Sequence, residues 1–127
     1  MQRQHVSSAN ILVIEDEQRL NDLYCLVLKN EGYNVVSALD GLEGLDALKA
    51  FTPDLVLLDL SMPNLDGIGF LKSSKIHDNY PQTKIIAFTN LDRAEDVSLA
   101  FELGITRYVL KSSTSPRGLI KLVNEET

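Results

Sequence analysis

The sequence predicts a doubly wound α/β domain, and two observations carry that prediction. Four short apolar runs, at 11–14 (ILVI), 55–58 (LVLL), 85–88 (IIAF) and 108–110 (YVL), are bounded by polar or turn residues, and a fifth, more polar run (NVVSA) spans 34–38. Between them lie stretches whose apolar residues recur at helical spacing. Apolar runs this short read as strands buried on both faces. Strands alternating with helices imply a parallel sheet, covered on each side through right-handed crossovers.

The elements follow in order. After the first strand, Leu20, Leu23, Tyr24, Val27 and Leu28 form one apolar helix face, and Gly32 supplies a C-terminal stop. The run at 34–38 suits a sheet edge. A second helix is expected from Gly41 to about Ala50, with Leu42, Leu45 and Leu48 turned inward. Asp40 and Glu43 make a capping box with Asp in place of Ser or Thr, and Pro53 lies beyond the end. A third helix starts near Asp66 and includes Ile68 and Leu71. A fourth repeats the capping pattern with Asp92 and Glu95 and ends before Gly104. The fifth opens with Ser115 and Pro116, a cap residue followed by proline at the first helical position.

Composition narrows the possibilities. The chain has 127 residues, with 18 acidic against 12 basic side chains and a formal net charge of −6. That length suits one domain with a core that needs no staples. The acidic balance argues against direct nucleic-acid binding, which calls for a basic stripe or patch. Cys25 stands alone, so no internal disulfide forms, and no Cys and His cluster suggests zinc. Residues 1–10 are polar and too short for a signal peptide, and no apolar run approaches the roughly 18 residues of a membrane span. The expectation is an acidic cytoplasmic domain without membrane insertion. His77 reads as a solvated loop residue, His5 as part of a flexible leader, and Cys25 as a buried, inert thiol on the first helix.

In doubly wound folds, ligands bind at the carboxyl ends of the strands. The residues just past each apolar run are Glu15, Asp16 and Glu17 after the first, Asp59 after the third, Thr89 after the fourth and Lys111 after the fifth. Carboxylates about 5 Å apart repel by roughly 3 kcal/mol per pair at an effective dielectric near 20. Gathering Glu15, Asp16 and Asp59 therefore calls for a cation. Hard oxygens without His or Cys select Mg²⁺. With the lysine and the hydroxyl, these are parts that stabilise a phosphoryl group in transfer.

The segments ILVIEDE, LLDLSMPNLDG, IIAFT and RYVLK, with 43 residues from Asp16 to Asp59, 30 to Thr89 and 22 to Lys111, resemble a response-regulator receiver domain of two-component signalling. The resemblance runs from about Ile11 to Val123 and implies a flavodoxin-like (βα)₅ sheet in strand order 2-1-3-4-5. It places a leader at 1–9, a single receiver domain at 10–125 and no output domain. It implies that Asp59 accepts a phosphoryl group from a sensor histidine kinase, a phosphotransfer protein or a small phosphodonor. Mg²⁺ would be bound by Asp16 directly, by Glu15 through water, by Asp59 and by the Ser61 carbonyl. Lys111 would pair with the phosphoryl group, Thr89 would hydrogen-bond it, and Tyr108 would be the aromatic switch. Its ring would turn inward as Thr89 moves, changing the surface of the fourth helix, fifth strand and fifth helix that a downstream protein reads.

Such a protein is a switch that accepts the group on itself, not an enzyme acting on other substrates. Two departures matter. Lys111 is followed by Ser112 where the family usually has proline, so a trans peptide is expected there. Leu91 stands two residues past Thr89, beside the path of an attacking water that it cannot hydrogen-bond, which implies slow self-dephosphorylation. Acids (Glu95, Asp96, Glu102) and bases (Arg117, Lys121) on the last two helices permit a charged homodimer face. Two alternatives stay open. One is a phosphate-independent receiver-like interaction module. The other is an aspartate-nucleophile phosphohydrolase, which usually carries a second acid where this chain has Ser61.

Overall fold

The structure is a computed structural model that describes residues 9–127. The expected leader thus lies, apart from Ala9, outside the described residues, and the Ala9 carbonyl accepts the Asn34 N–H at 3.0 Å. The elements run β1 (Asn10–Ile14), α1 (Gln18–Asn30), β2 (Asn34–Ala38), α2 (Gly41–Ala47), β3 (Leu55–Leu58), α3 (Gly67–Ser74) and α4 (Ile76–Asn79). They continue with β4 (Lys84–Thr89), α5 (Ala94–Glu102), β5 (Arg107–Leu110), a 3₁₀ turn (Lys111–Ser113) and α6 (Pro116–Glu126). The strands form one parallel sheet in the order β2-β1-β3-β4-β5, as expected.

Alternation along the strands builds two cores. Leu12, Ile14, Val56, Leu58, Ile85 and Ala87 face one side, with Phe70 and Leu71 of α3 and Ala100 of α5. Ile11, Val13, Leu55, Leu57, Ile86 and Phe88 face the other, with Tyr24 and Leu28 of α1 and Leu119, Leu122 and Val123 of α6. Each fully buried aliphatic or aromatic side chain contributes about 1.5–3 kcal/mol. No helix among the described residues is long and apolar enough to cross a membrane.

Most end signals work as read. Gly32, at φ 100°, takes the left-handed position after α1; its N–H reaches the Lys29 carbonyl at 2.9 Å, and the Tyr33 N–H reaches that of Leu28 at 3.3 Å. Asp40 accepts the Glu43 N–H at 2.8 Å, while Glu43 returns to the N–H of Leu39, one residue earlier than the usual box. Asp66 caps α3, and Ser115 caps α6 through the Gly118 N–H.

Five expectations are corrected. Leu42 is 55% exposed, because α2 turns Gly41 and Gly44 to the core instead. Asp92 does not cap α5: Arg93 holds the cap position without a side-chain bond and pairs with Asp96 at 3.5 Å. His77 is solvated but helical, since a one-turn helix, α4, follows the left-handed Lys75 and buries Ile76. β5 is not buried on both faces: it forms an edge of the sheet among the described residues, and its four residues are half-buried or exposed. Cys25 is half-buried, its Sγ 3.3 Å from Asn21 Oδ1.

Candidate acidic site at the carboxyl ends of the strands

Parallel pairing decides what meets here. Ile14 lies beside Leu58, Leu58 beside Ala87, and Thr89 beside Leu110, so the residues that end β1, β3, β4 and β5 emerge together. The Glu15 N–H still bonds the Ala38 carbonyl at 3.1 Å, and the Asp59 N–H bonds that of Ile14 at 3.0 Å. Both acids are therefore anchored by the sheet. Their side chains are nearly sequestered, Glu15 at 3% and Asp59 at 5% exposure.

Buried carboxylates need donors, and each has them. Lys111 Nζ lies 2.8 Å from Asp59 Oδ2 and 2.7 Å from Glu15 Oε1. Asp59 Oδ1 accepts the Thr89 hydroxyl at 2.8 Å and the Ser61 N–H at 3.1 Å. Glu15 Oε2 accepts the Glu17 N–H at 3.0 Å. Asp16 is exposed, yet one oxygen from each of Glu15, Asp16 and Asp59 falls within 4.8 Å of the others. Burial raises the Glu15 carboxyl above its ordinary range, against the pull of Lys111 and the Glu17 N–H. Burial also works against the Lys111 charge, but the hydrogen bonds to Asp59 and Glu15 outweigh it and hold the ammonium above the usual lysine range.

Of the carboxyl-end residues singled out in the sequence, Thr89 and Lys111 contact the Asp59 carboxylate and Glu15 and Asp16 lie beside it, while Glu17 contributes its backbone N–H rather than its carboxylate. Tyr108 is half-buried at the sheet edge, and its hydroxyl donates to the Leu91 carbonyl at 2.9 Å. The Leu91 N–H in turn donates to Thr89 Oγ1 at 3.1 Å. The Leu91 side chain packs against the core cluster that holds Leu58 and Ala87. The Lys111–Ser112 peptide is trans, as are all peptides among the described residues.

Sequence reading missed Asn21, which is 1% exposed. Its Nδ2 donates to the carbonyls of Glu15 and Ala38, both at 3.0 Å, locking the β1–α1 loop to β2. Its signal was a polar residue three and seven positions before Tyr24 and Leu28, on the buried helix face. Beside the acids, a groove of about 380 Å³ is lined by Leu20, Leu23, Tyr24, Phe88 and Lys111. Tyr24 meets Phe88 edge to face at 5.3 Å, and burial pushes its phenol up to about 12.

A sequence model described as the response regulator receiver domain matches residues 11–124. The chain belongs to the response regulator receiver domain family. Its membership makes it a signalling receiver domain of two-component response regulators. Over 101 residues, 80% of the chain, it is 40% identical to the probable transcriptional regulator ycf27 of Porphyridium aerugineum, covering 41% of that protein. It is 34% identical to the DNA-binding response regulator MtrA of Mycolicibacterium paratuberculosis, covering 44% of it. The receiver domain therefore spans less than half the length of these relatives. Among solved structures, a CheY-like response regulator receiver domain protein from Methanospirillum hungatei JF-1 superposes with a TM-score of 0.87, at 28% identity and 94% coverage of both chains.

Proposed function

We propose that this receiver domain is a phosphorylation-dependent switch in which Asp59 takes a phosphoryl group from a histidine kinase, a phosphotransfer protein or a small phosphodonor. The observation that carries this reading is the environment of the Asp59 carboxylate, in contact with an ammonium and a hydroxyl and beside two further acids. An Asp59 oxygen attacks phosphorus as the bond to the donor breaks, and the donor's imidazole or acyl oxygen leaves with the electron pair. Lys111 meets the incoming negative charge at the Asp59 side, and Thr89 is placed to donate to a phosphoryl oxygen.

The donor chemistry fits Mg²⁺: three hard carboxylate oxygens within 4.8 Å, with neither sulfur nor imidazole among them. Glu15, Asp16, Asp59 and the Ser61 carbonyl would hold it. When bound, Mg²⁺ offsets the charge of the acids and of the phosphoryl oxygens.

The same hydroxyl links the site to the surface. Thr89 is bonded to the Leu91 N–H, and the Leu91 carbonyl to Tyr108, so drawing Thr89 toward a phosphoryl group pulls on the contact that holds Tyr108. In this structure's numbering the responsive surface is α5, β5 and α6, where Phe101 and Leu110 are exposed. A downstream protein, or a second copy of the domain, would read that surface. DNA binding is named for a relative of which this chain covers 44%; this acidic domain acts through protein contacts. The phosphohydrolase reading is disfavoured because Ser61, two residues past Asp59, has no carboxyl for acid catalysis.

The test is incubation with Mg²⁺ and acetyl phosphate or beryllofluoride, comparing wild type with Asp59→Asn by mass and NMR. Wild type should take one adduct and shift resonances of Thr89, Leu91 and Tyr108, while Asp59→Asn does neither. No adduct and no spectral change in wild type would overturn the proposal.

A further inference from the structure

Lys111 leaves the sheet just after the last ladder pair, Thr89 with Leu110. Its backbone is therefore held by loop contacts rather than by strand pairing. Two of these are local: the Thr114 N–H donates to the Lys111 carbonyl at 3.2 Å, and Thr114 Oγ1 donates to the Leu110 carbonyl at 3.0 Å. A third crosses to another element. The Ser112 N–H donates to Asn90 Oδ1 at 2.8 Å.

The placement of that bond is informative. Asn90 directly follows Thr89, whose hydroxyl reaches Asp59, and Ser112 directly follows Lys111, whose ammonium reaches the same carboxylate. One side-chain oxygen thus ties together the two loops that deliver the donors to Asp59. A lysine on a four-carbon stem has many rotamers, so its aim depends on where its backbone starts. A residue without an N–H at 112 could not make this bond.

We infer that Asn90 is a positioning residue for phosphoryl transfer, clasping the Ser112 N–H so that Lys111 is delivered to Asp59. The inference rests on the reading of Asp59 as phosphoacceptor. It assigns a role in the reaction to a side chain that touches none of the reacting atoms.

The experiment measures the rate of Asp59 adduct formation with acetyl phosphate at saturating Mg²⁺ in the full chain, together with Mg²⁺ affinity by calorimetry. Asn90→Ala should slow the reaction about tenfold, as a small misplacement of a reacting group does, while the Mg²⁺ affinity stays within about twofold because none of the acids is touched. Ser112→Pro should slow it similarly, and Ser112→Ala, which keeps the N–H, should remain at least about fivefold faster than Ser112→Pro. The double variant Asn90→Ala with Ser112→Pro should be no slower than the slower single variant, since both remove one interaction. A wild-type rate in Asn90→Ala, a double variant slowed by the product of the two singles, or a matching loss of Mg²⁺ affinity would each overturn the clasp. If Ser112→Pro does not fold, Asn90→Ala against wild type decides alone. Failure of wild type itself to form the adduct takes down the phosphoacceptor reading first, and the clasp with it.

Discussion

Replacing Lys111 with Met keeps most of the aliphatic stem and removes an ammonium that contacts both buried acids. Two carboxylates then face each other, with oxygens within 4.8 Å, repelling by roughly 3.5 kcal/mol at an effective dielectric near 20. Protonation offers an escape, and Glu15, already raised by burial, takes the proton first. Holding a proton on a carboxyl at pH 7, against an ordinary value near 4.3, costs about 3.8 kcal/mol at about 1.4 kcal/mol per pH unit. The destabilisation therefore levels near 3.5 kcal/mol at pH 7 and falls to about 1 kcal/mol at pH 5. The sign follows from proton counting. The folded variant holds a proton that the unfolded chain has released, so its stability drops as pH rises from 5 to 7. Urea unfolding of both proteins at pH 5, 6 and 7, with EDTA present, measures this directly. A difference below about 0.5 kcal/mol at pH 7, or one that does not change with pH, would refute the argument that Lys111 neutralises buried carboxylates.

Other perturbations have defined outcomes. Asp40→Ala removes the α2 cap and the bond to Asn64 Nδ2, costing about 1–2 kcal/mol in urea unfolding. The Glu43 N–H, then Asn64, holds the Asp40 carboxyl below its usual range, so this contribution is present above about pH 4 and disappears as pH falls through the depressed folded value. Gly67→Ala brings a Cβ to 2.5 Å from the Asp59 carbonyl oxygen and 2.7 Å from Leu60 Cα, and thermal unfolding should show a loss of about 2–3 kcal/mol. Leu91→Glu supplies a group able to orient water, and the phosphoryl half-life, followed by mass spectrometry, should shorten by about tenfold or more. Burial raises the Cys25 thiol, so its reaction with a disulfide reagent at pH 7 should run about tenfold slower than that of a free thiol.

Much of the site was legible because a parallel sheet turns sequence order into spatial order. Each strand exposes its carboxyl end on the same side, so the residue after each apolar run is a site candidate before any coordinates exist. Glu15, Asp59, Thr89 and Lys111 were found that way. The misjudged features depended on partners the chain supplies from elsewhere. Leu42 fits an apolar helical pattern, but the close packing of α2 on the sheet and α3 favours Gly44 at that contact: a Cβ there would lie 2.6 Å from Ile14 Cδ1. Asp92 has the spacing of a cap, but α5 begins one residue later than that spacing requires. Asn21 breaks the apolar pattern of its helix face, and its role depends on two carbonyls, of Glu15 in the β1–α1 loop and of Ala38 at the end of β2, that only the fold brings to it.

The amino-acid sequence by itself determined the alternation of strand and helix, most of the helix ends, and the residue types that stand at each strand terminus. These depend on local periodicity, capping chemistry and backbone preference, all of which act within a few residues. Only the tertiary structure decided that Lys111 bridges Glu15 and Asp59 across 96 and 52 positions of sequence, that Thr89 is wholly buried against Asp59, and that Asn90 reaches the backbone beyond Lys111. The physical reason is directional. Hydrogen bonds and ion pairs need donor and acceptor within about 3 Å, and that proximity is set by sheet register and loop path rather than by any local pattern.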